Sequence, residues 1–341
     1  AESYVAAPGT QPTLTLARPF GGAGTIASNP VITAVDHELK NSLSQQWNLT
    51  VEREVIANLG VRVSYVGNKT SHLPWYNRLL NEPRFQSGDA IQPRRPYQPW
   101  STINLLATGA DSILNQLQVE VSKRYSQGLM FQIEYAFNRA IDNAPIVGGP
   151  QDPYNNAADR ANSEGVQRHI FTLSGNYELP FGPGKRFVKS GGVLGHLAGG
   201  WQVSTITRLR TGSPFSVTFT SSRAGWASGR ADRIGDGKVD GPTRDRWFDA
   251  NAFAVPAPFA YGNSGRNILF APGRIEVDLA VFKSLRFTEK VSLQLRGEAF
   301  NAPNHSNLAT PAANISVPTQ VGRVLSVIGG RQMQIGAKLL F

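Results

Sequence analysis

Alternation of apolar and polar residues with a period of two recurs nine times along this 341-residue chain. No other feature constrains the fold as tightly. A period of two places apolar side chains on one face of an extended strand and polar ones on the other. Trp47, Leu49 and Val51 alternate with Asn48, Thr50 and Glu52; after a link at 56–58, Val61, Val63 and Tyr65 alternate with Arg62 and Ser64. Leu117, Val119 and Val121 interleave with Gln118, Glu120 and Ser122. Past the turn Ser126-Gln127-Gly128, Phe131, Ile133, Tyr135 and Phe137 interleave with Gln132, Glu134 and Ala136. A third pair sets Phe171, Leu173 and Tyr177 against Trp201, Val203, Thr205 and Leu209, across a longer link opening Pro180-Phe181-Gly182-Pro183-Gly184. A fourth sets Ile275, Val277, Leu279 and Val281 against Val291, Leu293 and Leu295, across Thr288-Glu289-Lys290. Met333, Ile335, Ala337, Leu339 and Phe341 form the last strand.

These segments predict antiparallel strands of about ten residues each, the length a tilted transmembrane strand needs. Short links fall near 57, 126, 184 and 289, and long ones at 68–112, 138–166, 212–273 and 302–330. Long irregular connections are uncommon inside compact soluble domains. They are ordinary on the outer side of an outer-membrane barrel, whose periplasmic turns are short. Counted back from Phe341, every short link lies at the same end of the strands as the C-terminus.

The expectation is an all-β chain: an antiparallel transmembrane β-barrel, about nine strands of a larger one, with long extracellular loops and short periplasmic turns. Residues 1–43 read as an irregular extracellular lead-in and residues 44–341 as barrel. On this reading Gln118, Glu120, Gln132, Glu134, Gln294, Arg296 and Glu298 face the lumen. Val61, Val63, Phe131, Ile133, Leu279, Leu293, Ile335 and Leu339 face lipid. Phe341 is the terminal aromatic that the barrel assembly machinery reads. Trp75, Tyr76, Trp100 and Trp226, with Tyr97 and Tyr154, fall in long loops. There they serve substrate or partner contact, or an interfacial girdle.

Composition removes other classes. No run of about 18 apolar residues exists, so no transmembrane helix is available, which leaves crossing by strands open. The net charge of +10 is scattered, and its densest group, Arg94 and Arg95, sits among prolines. It forms no basic stripe for nucleic acid. The absence of cysteine excludes disulfides, zinc thiolates and thiol nucleophiles. Histidines 37, 72, 169, 196 and 305 lack ligand spacing. The segment Asp232 to Gly241 has three carboxylates and three glycines but not the alternate acids and closing Glu of a calcium loop, and reads as a solvated loop. Ser264, in Gly262-Asn263-Ser264-Gly265, has no strand-to-helix elbow, and Asp152 and Asp159 have no apolar pocket. The expectation is no enzyme, no metal and no cofactor. The opening AESYVAA carries no signal peptide, so an export signal is expected upstream.

A series of ordered motifs adds a resemblance. Gln45-Gln46-Trp47-Asn48-Leu49 leads to Val63-Ser64-Tyr65-Val66-Gly67-Asn68-Lys69. Leu117-Gln118-Val119 with Lys123-Arg124-Tyr125, and Glu178-Leu179-Pro180-Phe181-Gly182 with Gly200-Trp201-Gln202, come next. Arg246-Trp247-Phe248, Gly262-Asn263-Ser264-Gly265-Arg266-Asn267 and Arg296-Gly297-Glu298-Ala299-Phe300-Asn301 complete the series. From residue 44 onward the chain resembles the barrel of Oar-like TonB-dependent transporters.

The resemblance implies a large Gram-negative outer-membrane barrel, similar to 22-stranded transporters with a plugged lumen. It implies four partners: outer-membrane lipid, an N-terminal plug and barrel half missing from this chain, TonB acting through that plug, and the barrel assembly machinery. The alternatives are a passive porin or structural outer-membrane barrel, and a secreted soluble β-sheet protein that binds carbohydrate. An upstream plug separates the first two, and a need for detergent separates the third.

Overall fold

The computed structural model describes residues 29–84, 90–143, 150–188, 192–221 and 228–341. Nine long strands dominate it: β1 (Leu43–Ile56), β2 (Leu59–Leu79), β3 (Ile103–Ser126), β4 (Leu129–Asp142), β5 (His169–Glu178), β6 (Trp201–Arg210), β7 (Arg274–Arg286), β8 (Ser292–Phe300) and β9 (Gln332–Leu340). They are the nine that the alternation predicts. Each pairs antiparallel with its neighbours in sequence, giving an up-and-down meander. The sheet is open, because β1 and β9 do not pair with each other.

Paired residues of an antiparallel ladder share a face, and away from the bulges the parity of residue number is the same on every strand. One row runs Val51, Val63, Val119, Tyr135, Phe171, Leu209, Ile275 across seven strands. The row beside it runs Glu52, Arg62, Glu120, Glu134, Thr172, Arg208, Glu276. Odd positions therefore carry the apolar face and even positions the polar one.

The apolar face packs against no second sheet: Leu49 is 69% exposed, Leu279 42% and Ile335 93%. A soluble sandwich buries such a face against a partner sheet. The buried hydrophobic cluster lies instead among the long loops, around Phe215, Val217, Phe248, Phe253 and Leu269. The sandwich alternative does not fit this arrangement.

Three sequence expectations are corrected. The stretch 68–112 is about half strand: β2 has 21 residues and β3 has 24, and 80–102 connects them. Register shifts after Thr70, at Leu73 and after Trp75 break the alternation, so it is not visible in the sequence. At about 3.3 Å per residue β3 extends for about 80 Å. A crossing needs only about 9–11 residues, so this hairpin continues well past any membrane.

Ile32–Val35, inside the stretch expected to be irregular, forms a strand parallel to Ile103–Leu106. The rest of that lead-in, 1–28, lies outside the described residues. The link at 179–200 is not tight, since it holds the helix α1 (Val193–Ala198). The links at 57–58 and 127–128 are tight turns, with Asn58, Gln127 and Gly128 at positive φ.

Lys283 occupies an apolar-face position of β7 yet is buried. Its ammonium donates to the carbonyls of His196 (2.6 Å), Leu197 (3.0 Å) and Gly199 at the C-terminal end of α1. Trp201 Nε1 donates to the Leu197 carbonyl at 2.9 Å, and the ammonium sits 5.1 Å from the Trp201 ring. A cation there satisfies carbonyls that the helix itself leaves open.

Replacing Lys283→Met removes these bonds, each charge-assisted and worth about 1.5–3 kcal/mol. Amide exchange across 193–200 is expected to accelerate about ten- to hundredfold while β7 stays protected. Unchanged exchange there would show that Lys283 does not hold the helix.

Candidate functional site

The polar face carries a belt of charge with interleaved signs. Arg62 donates to Glu52 through Nε (2.9 Å) and to Glu120 through Nη1 (3.0 Å). Glu120 lies opposite Glu134 on the neighbouring strand, and like charges in that position repel. Arg62 offsets the first carboxylate, and Gln132 Nε2 donates to the second at 2.7 Å. Farther along the row, Glu276 accepts from Arg210 at 2.8 Å and lies 3.7 Å from Arg208.

All seven polar candidates from the sequence stand on this face, in two patches. Gln118, Glu120, Gln132 and Glu134 belong to the belt. Gln294, Arg296 and Glu298 lie on β8, where Glu298 bonds Gln334 of β9. The eight apolar candidates stand on the opposite face. Glu52, Arg62, Arg208 and Glu276 were not singled out from sequence, although their even phase carries the same signal.

Above the belt, at the long-loop end, the described parts of the loops 143–168, 211–273 and 301–331 fold into a cap. Its apolar centre is the Phe215–Phe248–Phe253 cluster, with Ile315 and Val321 packed on it. Buried ion pairs join the loops. Arg230 bonds Asp159, which is 1% exposed and also accepts from the Gln151 amide at 2.8 Å. Arg266, 4% exposed, bonds Asp142 at the end of β4 and reaches the Asp159 carbonyl at 2.9 Å.

Asn138 ties the cap to the polar face of the strands, accepting from Gln116 (2.7 Å) and donating to the Gln167 carbonyl (2.9 Å). A Cβ at Gly262 would meet the Arg230 carbonyl at 1.9 Å, so only glycine admits this approach. Asp159, set aside in the sequence for want of a pocket, is thus a buried anchor. In the Asp232 to Gly241 segment, Asp236 pairs with Arg233 and Lys238.

The aromatic expectations divide. Trp75 and Tyr76 are in strand β2, not in a loop. Trp75 is 3% exposed and donates to the Asn143 carbonyl at 3.3 Å, so it packs the extended hairpin instead of presenting a surface. The Tyr76 side chain and Trp226 lie outside the described residues. Trp100 is half-buried in the 80–102 loop. Tyr154 is partly exposed, donates to the Glu82 carbonyl at 2.6 Å and stacks under Arg84 at 4.4 Å. Tyr261, in the same cap, has its phenol pushed well above its ordinary range by burial, with Asp152 and Glu82 adding to the effect. Phe341 follows β9 and is fully exposed.

A sheet with one naked apolar face, one charged face, tight turns at one end and folded loops at the other is the wall of a membrane barrel. The chain belongs to the outer membrane beta barrel domain family, whose model matches residues 1–334. It is an outer-membrane protein. Among proteins of curated function, no sequence matches it.

Several solved structures are similar. The outer membrane transporter YddB from Escherichia coli shares 8% identity over 92% of this chain and 34% of its own length, with a TM-score of 0.48. The pyoverdine outer membrane receptor FpvA from Pseudomonas aeruginosa shares 12% over 89% and 30%, with a TM-score of 0.47. The FrpB iron transporter from Neisseria meningitidis shares 9% over 89% and 32%, with a TM-score of 0.46. The chain thus spans about a third of the length of these proteins.

Removing one partner of a buried ion pair costs about 3–5 kcal/mol, whereas an exposed pair contributes less than about 1 kcal/mol. Arg266→Ala is therefore expected to open the cap, read as rapid proteolysis within 211–273 while the strands stay intact. Arg62→Ala, in a half-exposed pair, is expected to leave both unchanged. Equal protease resistance in wild type and Arg266→Ala would exclude the pair as the latch.

Proposed function

We propose that residues 44–341 supply part of the wall, the lumen lining and the outer loops of an Oar-like, TonB-dependent transporter. The apolar face meets lipid and the polar face lines the lumen. The observation that carries this reading is the cap: folded loops with their own core, anchored by Arg266 and Asp142 at the lumen-side end of a strand. A passive pore keeps an open path. A folded cap over a charged belt suits a receptor that captures a ligand outside and admits it only when an internal element moves.

In this mechanism the cap binds the ligand, and the belt from Glu52 to Glu276 offers it successive polar contacts. A plug supplied by the rest of the protein opens when TonB pulls on it. Unpaired backbone groups in lipid cost several kcal/mol each. The open edges of β1 and β9 therefore pair with further strands of the same protein. Phe341, standing free beyond the last pair, is available to the barrel assembly machinery.

Two measurements test this. Charged residues at the midplane of the lipid face cost about 2–4 kcal/mol. Leu279→Arg is therefore expected to lower the stability of the full-length protein in bilayers by that amount, read from heat-modifiable gel migration across a urea series. Gln294→Arg, on the lumen face, is expected to change it little. Equal effects would refute the assignment of faces. For transport, the full-length protein in planar bilayers is expected to stay closed, and uptake in cells is expected to stop when TonB is depleted. Steady conductance without TonB would establish the passive-pore reading instead.

A further inference from the structure

The link 179–200 joins β5 to β6 at the tight-turn end, and its helix α1 lies against the apolar face of the sheet. Residue parity places it there. Trp201 and Lys283 pair at odd positions, and both side chains reach carbonyls of α1 from that face. Just past the helix, the Ser284 amide donates to the Gly200 carbonyl at 2.9 Å. Lys283 stands three residues before Arg286, where β7 ends, so α1 rests about 10 Å from that end.

A surface helix of a water-soluble protein turns its apolar side inward. α1 is inverted. Its buried side is glycine: Gly195 is buried, as is Gly199 just after the helix, and a Cβ at Gly199 would meet the Gly182 Cα at 2.9 Å. Its outer side is apolar. Val193, Leu194 and Leu197 share one helical face and are 76%, 75% and 62% exposed. The strands beneath show the same inversion, so helix and strands answer to one solvent. In the same link Phe181 and Phe187 stack at 5.7 Å and stay partly exposed, and the Arg186 guanidinium lies 5.4 Å from the Phe187 ring. Aromatic and basic side chains together are favoured where a membrane meets water.

We propose that α1 is an in-plane anchor in the inner leaflet of the outer membrane, with Val193, Leu194 and Leu197 set among the acyl chains. The inference rests on the reading that the apolar face meets lipid. Three features select lipid over a protein partner. The outer side of α1 continues the apolar face of the strands. A plug in the lumen lies across the wall from it. The helix sits near the tight-turn end, where the inner leaflet meets the periplasm. Held by Lys283, the anchor fixes the depth of β6 and β7 in the bilayer.

The chain has no cysteine, so a fluorophore on one introduced cysteine reports a single position in it. The test uses the full-length protein in phospholipid vesicles, any cysteine of its remainder replaced by serine. Leu194→Cys, Leu197→Cys, Leu279→Cys on the apolar face of β7 and Glu289→Cys in the tight turn each carry a bimane label. The two α1 labels are expected to be quenched about threefold more by lipid brominated near the headgroup than by lipid brominated at the chain ends, because an in-plane helix enters only about 5–10 Å. The reverse order is expected at Leu279, and quenching by aqueous iodide alone at Glu289.

Iodide quenching of the α1 labels to the level of Glu289 overturns the anchor. Shielding from both quenchers also overturns it, since a second copy or another protein then covers α1. In both cases a Leu279 label that bromine still quenches leaves the lipid-facing reading standing. A Leu279 label that bromine does not reach overturns that reading, and the anchor with it.

Discussion

Hydrocarbon offers a peptide group nothing to bond to, and the remaining features of this chain follow from that. Every N–H and C=O of the nine strands must find its partner on a neighbouring strand, so the strands form one continuous ladder and not two packed sheets. A single ladder has two faces with different solvents, and outside the bulges of β1 to β4 residue parity separates them from β1 to β9. The row from Val51 to Ile275 and the row from Glu52 to Glu276 are adjacent lines of one sheet. A shift of one residue in any pairing would exchange them.

Beyond the ladder the constraint reverses. The loops at the long-loop end stand in water and can form an ordinary core, and they do so around Phe215, Phe248 and Phe253. The buried ion pairs of these loops are chosen for position more than for strength. A buried Arg–Asp pair gains little over an apolar replacement, but breaking it is expensive. Arg230 with Asp159 and Arg266 with Asp142 therefore fix which loop lies on which strand end. Lys283 does a comparable job at the opposite end, where a charge in an apolar row is tolerated because three helix carbonyls surround it.

Much of the fold was legible from alternation alone, because a strand exposed to two solvents has to alternate. Legibility failed where a bulge or a long-range partner intervened. The upper parts of β2 and β3 looked like loop because register shifts around Leu73 and Trp75 scramble the period. Trp75 consequently looked like a surface aromatic, although it is buried in the hairpin. Asp159 and Arg266 looked like ordinary loop charges, since nothing local distinguishes a solvated carboxylate from one whose partner, as with Asp159 and Arg230, lies 71 residues away in sequence. The belt was half visible: Glu120 and Glu134 stood among the lumen-facing candidates, and Arg62 and Arg208 shared their phase without being chosen.

The sequence by itself determined the long strands and their two faces, because each depends on residues a few positions apart. Only the tertiary structure decided that the loops form a cap and which charges in it are buried. Those outcomes depend on contacts between segments far apart in the chain, and the period of a strand carries no record of them.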